Sequence, residues 1–329
     1  MSVVSMPSRP SRRFGLLPGL VAFLGLAACE SYLPPEAWTA VRVDEPEVLL
    51  DDLDSPSGLV NYAGDLVLGT SVGELLRLDP MGDLSVLLEE PLPGLHRLST
   101  VEGGLVLSIE SSASEDGQSS VEFWSPDAEL TTLWAGAGTV TDLASDGSRV
   151  YYALTSSELG PASLRWSEAA GGESMTLCPN LDEPGGFSLV DERVVIADRG
   201  AGVVLACDRS DGALTVLATP AEVPRDVAIA GQEVIISARS ERWPGGGWIY
   251  SMEPSGGELV PLSYSPPGLD RLIVDEGAIY WSSSQSITRV DREGGTYEVL
   301  ATETRVADFM IWEDQQIHRM LTKLFLYPP

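Results

Sequence analysis

A pattern of about 40 residues recurs along most of this chain, and a period of that length indicates a repeat architecture. The clearest copy spans residues 266–303 and contains four short segments rich in β-branched and aromatic residues. Turns rich in Gly, Asp and Ser separate these segments, as is typical of consecutive β-strands. One copy of the repeat therefore predicts one small four-stranded antiparallel sheet.

Two positions mark the six complete copies. A hairpin between the last two strands recurs at Gly82, Asp127, Gly172, Gly212, Gly257 and Gly295. A hydrophobic second strand recurs at residues 66–68, 105–107, 150–152, 194–196, 234–236 and 279–281.

The remaining strands are divided between the two ends of the chain. Residues 308–313, 316–321 and 323–327 supply three strands, and the segment EVLL at 47–50 matches the closing strand SVLL at 85–88. Joining the ends would close a ring and remove exposed sheet edges. We therefore predict an all-β fold, a seven-bladed β-propeller of four-stranded blades whose last blade is closed by the N-terminal strand. Six or eight blades are the alternatives.

The repeat resembles that of TolB-like propellers and of the lipoprotein propellers of deltaproteobacteria. The resemblance covers about residues 47–327 and depends on a Pro-x-Gly, Tyr-Trp and Gly-Gly pattern that is clearest in residues 266–303. It implies the fold but almost nothing about chemistry, because propellers carry many unrelated functions.

The N-terminus has the features of a secretory signal peptide. Arg9, Arg12 and Arg13 precede an apolar stretch from Phe14 to Ala28, which is shorter than the ~20 residues of a membrane-spanning helix. The segment LAAC that ends at Cys29 resembles the bacterial lipobox. That resemblance implies cleavage before Cys29, a diacylglycerol on its thiol and an acyl chain such as palmitate on its new amine.

Three segments follow from these patterns. Residues 1–28 are the predicted signal peptide, 29–46 a lipidated tether and 47–329 the propeller. We expect an exported, periplasmic protein that is anchored by lipid to the cell envelope. Glu30 differs from the aspartate that retains enteric lipoproteins in the inner membrane, which favours the outer membrane.

The charge of the chain restricts its partners. There are 49 acidic and 20 basic side chains, for a net charge of −29. A phosphate backbone would be repelled, so nucleic acid is excluded as a partner. No EF-hand pattern is present, and the sequence predicts no metal and no cofactor. We expect a monomer that meets the membrane through its lipid and binds a protein or a small polar ligand.

Charged residues occur at corresponding positions near the start of the first strand of several repeats. In a propeller these positions gather around one end of the central axis. They are Arg97, Asp142, Asp226 and Arg271, with Asp308 in the last repeat. Two interpretations are open. Arg97 with Asp142, and Asp226 with Arg271, could form ion pairs between neighbouring blades, or the residues could form a charged mouth that holds a polar ligand.

One loop has the composition of a protein-contact site. Residues 237–248 contain Arg239, Arg242 and Trp243 beside three glycines, and Trp and Arg are enriched at interface hot spots. We predict that this loop contacts a partner. The alternative is that Trp243 folds back onto the barrel.

Catalytic motifs are scarce in this sequence. It contains two histidines, His96 and His318, and no nucleophile elbow or zinc-binding helix motif. We therefore predict a non-catalytic binding or scaffolding module. The alternative is a metal-dependent hydrolase or lyase with its site at the axial mouth, as in gluconolactonase-like propellers.

Two cysteines remain in the predicted mature chain. Cys178 is expected at the end of a fourth strand and Cys207 at the end of a third strand, on opposite faces of the ring. Such positions are roughly 15 Å apart, whereas bridged Cα atoms lie within about 7 Å. Export of the chain permits a disulfide, but the distance favours two unbridged cysteines.

Overall fold

The repeated strand pattern folds into repeated antiparallel sheets. The computed structural model describes residues 41–42, 47–50, 56–70, 72–110, 118–155, 160–240, 246–265, 271–275, 277–282, 286–294, 297–302, 306–312, 315–320 and 324–327. Within these ranges, six sheets are each built from four strands that follow one another in the chain, and one of the six carries a fifth strand at its edge.

The six sheets are numbered in chain order. Sheet 1 contains β3 (Pro56–Tyr62), β4 (Asp65–Thr70), β5 (Leu75–Leu78) and β6 (Leu84–Val86); sheet 2 contains β7 (Leu95–Val101), β8 (Gly104–Glu110), β9 (Gln118–Ser125) and β10 (Ala128–Ala137). Sheet 3 contains β11 (Val140–Ser145), β12 (Arg149–Leu154), β13 (Ala162–Glu168) and β14 (Met175–Leu181); sheet 4 contains β15 (Pro184–Val190), β16 (Arg193–Asp198), β17 (Val203–Asp208) and β18 (Leu214–Ala218). Sheet 5 contains β19 (Val223–Ala230), β20 (Glu233–Arg239), β21 (Gly247–Met252) and β22 (Val260–Ser265); sheet 6 contains β23 (Arg271–Val274), β24 (Ala278–Ser282), β25 (Ser286–Asp291) and β26 (Glu298–Thr302).

A further sheet, which we call the terminal sheet, joins the two ends of the chain. Its strand order is β2 (Glu47–Leu50), β29 (Leu324–Tyr327), β28 (Gln315–Met320) and β27 (Val306–Trp312). β2 pairs antiparallel with β29, and Glu47 lies opposite Leu326. This is the pairing that the sequence predicts for residues 47–50.

Two residues of the predicted tether also form a strand. β1 (Val41–Arg42) pairs in parallel with β26, placing Val41 opposite Glu298 and Arg42 opposite Val299. The outer strand of a sheet offers unpaired N–H and C=O groups along its free edge. β1 occupies that edge on sheet 6, a contact that the sparse periodicity of residues 30–46 does not predict.

The hydrophobic core lies between the faces of neighbouring sheets. The second strands β4 and β24 are buried along their whole lengths. One apolar cluster is shared by sheets 3 and 4, and another by sheets 4 and 5. Removing these faces from water is the main favourable contribution to folding, at about 25 cal/mol per Å² of apolar surface.

The first strands of successive sheets lie side by side around a common axis. β3 neighbours β7, and the series continues through β11, β15, β19 and β23. Four-stranded antiparallel sheets arranged with their first strands at the centre form a β-propeller. The predicted all-β propeller of four-stranded blades is therefore confirmed.

The prediction that the two cysteines stay unbridged is wrong. Cys178 and Cys207 form a disulfide with their Cα atoms 6.3 Å apart. β14 continues to Leu181, so Cys178 lies in the middle of its strand and not at its end. Both cysteines are fully buried in the cluster that sheets 3 and 4 share, so the packing of these two sheets brings the middle of β14 close to β17. Distance along one strand could not reveal this approach.

Candidate functional site

Irregular pairing recurs at one end of the first strands. Register shifts occur between Leu95 and Arg97 in β7, between Val140 and Asp142 in β11, and between Pro224 and Asp226 in β19. The same shift precedes Gly58 in β3 and Asp308 in β27. Such bulges redirect the side chains that follow them and are common near binding sites. They place the charged residues of the repeat at the axis.

Proline helps to locate these bulges. Pro56 and Pro184 begin β3 and β15, and Pro224 is the second residue of β19. Because proline has no N–H to donate, it is tolerated at the first residue of a strand or at a bulge. The sequence thus marks the points where regular pairing begins.

A cavity of about 180 Å³ lies at this end of the axis. Four residues predicted from the sequence line it together: Arg97, Asp142, Asp226 and Arg271. Gly186 of sheet 4 lines it between the two aspartates, so the order around the ring is Arg, Asp, Gly, Asp, Arg. The volume is below the ~300 Å³ of pockets for drug-sized ligands. The cavity therefore suits a small and polar molecule.

Asp226 is the most buried charged group of the cavity. Its Oδ1 accepts a hydrogen bond from the backbone N–H of Val227 at 2.8 Å, and its Oδ2 accepts one from the N–H of Leu272 at 2.7 Å. Burial, reinforced by the nearby charge of Asp142, raises the pKa of Asp226 to about 7, although both hydrogen bonds and Arg271 oppose the rise. Asp226 therefore exchanges a proton near neutral pH.

Asp142 makes the equivalent contact two sheets earlier. Its Oδ2 accepts a hydrogen bond from the backbone N–H of Phe187 at 2.9 Å. Asp142 thus ties sheet 3 to sheet 4, just as the bond from Leu272 to Asp226 ties sheet 5 to sheet 6. At these positions backbone amides of one blade donate to carboxylates of the preceding blade, and the ion pairs Arg97–Asp142 and Asp226–Arg271 stay predictions.

Gly186 is required by the position of Asp226. A Cβ atom at residue 186 would lie 1.7 Å from Asp226 Oδ1, a distance that no side chain can adopt without displacing the carboxylate. The absence of a side chain at Gly186 therefore allows Asp226 to reach both amides and keeps the cavity open between the two aspartates.

Arg97 has a different environment from the aspartates. Its backbone N–H donates to Ser108 Oγ at 3.0 Å, while its side-chain Nε is buried and has no hydrogen-bond partner among the described residues. Glu110 lies close enough for Arg97 to lower its pKa, but burial dominates and raises it. Glu110 Oε1 lies 3.3 Å from His96 Nδ1, yet this oxygen has no hydrogen-bond partner among the described residues. Arg97 therefore keeps one buried donor without an acceptor.

The other predicted site residues fall elsewhere. Arg239 is the exposed last residue of β20. Cys29, Arg242 and Trp243 lie outside the described residues, so lipidation and a partner contact at the loop stay predictions. Asp308 follows the bulge of β27 and lies opposite Arg319. Because β27 lies beside the first strand β3, the backbone of Asp308 is close to the axis.

Several polar contacts are not predicted from the sequence. The Ser188 hydroxyl donates to the backbone oxygen of Val227 at 2.8 Å and joins sheets 4 and 5 beside the cavity. The buried carboxylate of Asp198 accepts the backbone N–H groups of Asp182 and Glu183 at 2.9 and 3.0 Å. In the sequence, Ser188 stands two residues after Gly186, and Asp198 precedes a glycine-rich turn. Both patterns are too common to identify these contacts in advance.

In the part of the chain that the structure describes, no group of three or more His, Cys, Asp and Glu side chains is arranged to hold a metal ion. The described residues also contain no helix that is long and apolar enough to cross a bilayer.

Comparison with known proteins identifies the fold. No family model matches the chain, and no curated protein matches it. Two solved structures resemble it over most of its length. The computationally designed Ika8 protein has a TM-score of 0.61 at 11% identity, covering 86% of this chain and 98% of its own. BamB from Moraxella catarrhalis has a TM-score of 0.57 at 15% identity, covering 84% of each chain. At such low identities these similarities show the propeller fold alone.

Proposed function

We propose that this protein is a non-catalytic binding module that holds a small polar ligand in the axial cavity of its propeller. The observation that carries the proposal is the convergence of Arg97, Asp142, Asp226 and Arg271, from four different sheets, on one cavity. Each of them comes from the first strand of a repeat, and most follow a bulge. A cavity with a few convergent polar groups is the usual form of a small-molecule site.

The binding proposal is tested by ligand-observed NMR with a library of small polar molecules. We expect binding by the wild-type protein and its loss in Arg271→Gln, which removes a cavity charge. The matched control is Arg193→Gln, because Arg193 is an exposed arginine at the first residue of β16. A library without a single binder, or binders that Arg271→Gln leaves unaffected, contradicts the proposal.

We further propose that the module is exported and anchored to the outer membrane through Cys29. The basic segment, the apolar stretch and the LAAC motif of the sequence support this. Two or more acyl chains are needed for stable anchoring, because one chain binds a bilayer only marginally. Cys29→Ser should release a folded protein from the membrane fraction in a cell expressing the chain. A variant that stays membrane-bound contradicts lipid anchoring.

The blade count is a separate proposal: the ring closes with seven blades, the terminal sheet being the last. The position of β27 supports it, because β27 lies beside β3 of sheet 1 and beside β24 of sheet 6. A terminal sheet that fills the gap between sheets 6 and 1 leaves no open side in the ring. A crystal structure with six blades around the axis contradicts this count.

An enzyme is the second candidate, and one observation favours it. Asp226 lies in the cavity with its pKa raised to about 7, mainly by burial, and perturbed carboxyl groups in clefts are typical of general acids and bases. A metal-dependent hydrolase or lyase would add an ion held by Asp142, Asp226 or Asp308. Calorimetric titration with calcium and zinc ions tests this candidate. Binding that Asp226→Asn abolishes would favour the enzyme over the module.

A further inference from the structure

We propose that the axial ligand carries an oxyanion, a carboxylate or phosphate group, that accepts a hydrogen bond from the Arg97 guanidinium. This inference rests on the proposed binding function and specifies the chemical class of the ligand.

Arg97 has a buried side-chain nitrogen that lacks a hydrogen-bond acceptor among the described residues. Buried polar groups in folded proteins are almost always hydrogen-bonded, yet Arg97 Nε is buried without a partner among the described residues. Glu110, the nearby carboxylate, does not accept from this nitrogen, because Glu110 Oε1 is also without a hydrogen-bond partner among the described residues. A guanidinium group stays charged at any physiological pH, and its planar fork matches a carboxylate or a phosphate. An anionic ligand would supply the acceptor that Arg97 lacks.

The two aspartates of the cavity are poorly suited to bind a cation. Both oxygens of Asp226 already accept backbone N–H groups, and one oxygen of Asp142 does so as well. Calcium requires six to eight oxygen ligands, of which several are usually carboxylate or carbonyl oxygens. The two carboxylates offer at most four oxygen ligands, fewer than calcium requires, and the same groups hold neighbouring sheets together.

The charged side chains that line the cavity also favour an anion. Two guanidinium groups, of Arg97 and Arg271, face two carboxyl groups, of Asp142 and Asp226. Burial and the charge of Asp142 keep Asp226 partly protonated near pH 7. The four side chains together therefore carry a slight positive charge at neutral pH, although the whole chain carries a charge of −29. A positive lining favours an anionic group over a cation.

The experiment follows Arg97 Nε itself. We would record the ¹⁵N–¹H signals of arginine Nε–H groups in the full-length protein, at constant ionic strength, while adding inorganic phosphate, succinate, glucose or calcium chloride. Arg97→Gln assigns the signal by removing it. We expect the Arg97 signal to shift in a saturable manner with phosphate, with succinate or with both, and the stronger of the two distinguishes a phosphate ligand from a carboxylate.

Variants provide the second readout. Arg97→Gln should weaken binding of the active anion by at least about tenfold, equivalent to the loss of one good hydrogen bond, while the charge-matched control Arg193→Gln should bind as the wild type does. Arg97→Lys keeps the charge but loses the fork, and we expect intermediate affinity. If Arg97→Gln does not fold, the wild-type titration together with Arg97→Lys still decides the question.

The outcomes separate this inference from the proposed function. Anion binding that persists in Arg97→Gln, or saturable shifts with glucose or calcium only, overturns the oxyanion inference. If glucose binds and Arg271→Gln removes that binding, the axial binding module survives without the oxyanion. If neither these probes nor the wider library bind, both proposals fail.

Discussion

At the scale of single residues, the cavity shows how a carboxylate can be structural and responsive to pH at once. Asp226 accepts two backbone amides from different sheets, while burial raises its pKa to about 7. Its stabilising bonds and its titration therefore involve the same two oxygen atoms.

The titration of Asp226 predicts a pH-dependent stability. In the unfolded chain this carboxyl loses its proton near pH 3.8, whereas in the folded chain it keeps it until about pH 7. The folded state binds the extra proton between these values, so the contribution of Asp226 to the free energy of unfolding falls as pH rises from about 4 to about 7. Above about pH 7 the contribution is constant.

Asp226→Asn tests this titration. The amide has a single acceptor oxygen, so one backbone N–H loses its partner, and we expect a loss of about 1–3 kcal/mol at pH 5. The loss should be smaller at pH 8, because there the buried carboxyl of the wild type is ionised, which destabilises the wild type but not the variant. Urea unfolding at both pH values measures the difference in free energy of unfolding between wild type and variant, with the exposed Asp83→Asn as control. A difference that does not change with pH would refute the titration of Asp226.

Gly186→Ala tests the packing that positions Asp226. The added Cβ would overlap Asp226 Oδ1, so the carboxylate must leave its two amides, and we expect a loss of about 1–3 kcal/mol, as for other overpacked sites. Gly160→Ala is the matched control, because a Cβ at residue 160 meets no atom within 4 Å. Chemical unfolding compares the variants, and equal stability of the two would show that the site tolerates a side chain.

At the scale of strands and sheets, neighbouring blades are held by more than apolar packing. Hydrogen bonds from Phe187 and Leu272 reach the carboxylates of the preceding sheets. At the other end of sheets 3 and 4, Arg209 forms an ion pair with Asp146 and donates from Nε to the Tyr151 hydroxyl at 3.0 Å. Sheets 3 and 4, and sheets 5 and 6, are thus linked by polar contacts at particular points.

The disulfide between β14 and β17 is the covalent example of such a link. It closes a loop with a sequence separation of 29 residues, for which loop-closure entropy predicts a contribution of about 3–4 kcal/mol. The double variant Cys178→Ala with Cys207→Ala should lose at least that amount, because both buried sulfurs are also removed from the apolar cluster.

Thermal and urea unfolding of the double variant measure this loss. Digestion of the unreduced wild-type protein followed by mass spectrometry should yield the two cysteine peptides as one linked species. Separate peptides carrying free thiols would contradict the bridge.

At the scale of the whole molecule, the two ends of the chain meet in the terminal sheet. β2 from the N-terminal side pairs with β29 from the C-terminal side, so unfolding of either end removes strands from the same sheet. β1, which precedes β2 in the chain, pairs with the edge of sheet 6, so two different sheets hold the N-terminal side of the described chain.

Deleting residues 47–51 should open this sheet. We expect a less cooperative melt and a decrease in Tm of at least several degrees, since a loss of 1 kcal/mol shifts the Tm of a domain of 150–250 residues by about 2–4 °C. Deleting the same number of tether residues, 30–34, is the control. Differential scanning calorimetry of both variants decides the point, and an unchanged melt for the first deletion would show that closure by β2 adds nothing to stability.

Local sequence patterns are enough to predict the strands of the six complete repeats and their order. Alternating hydrophobic residues and turn glycines depend on local conformation, so their repetition predicts the four-stranded sheets. Counting the same number of residues along each repeat selects Arg97, Asp142, Asp226 and Arg271, and these four residues line one axial cavity. What these residues contact depends on how the sheets pack against one another. The amides bound by the aspartates, the closeness of Gly186 to Asp226, and the Cys178–Cys207 bridge each join residues of neighbouring sheets. Such distances depend on the twist and packing of whole sheets, which no local pattern in the sequence records.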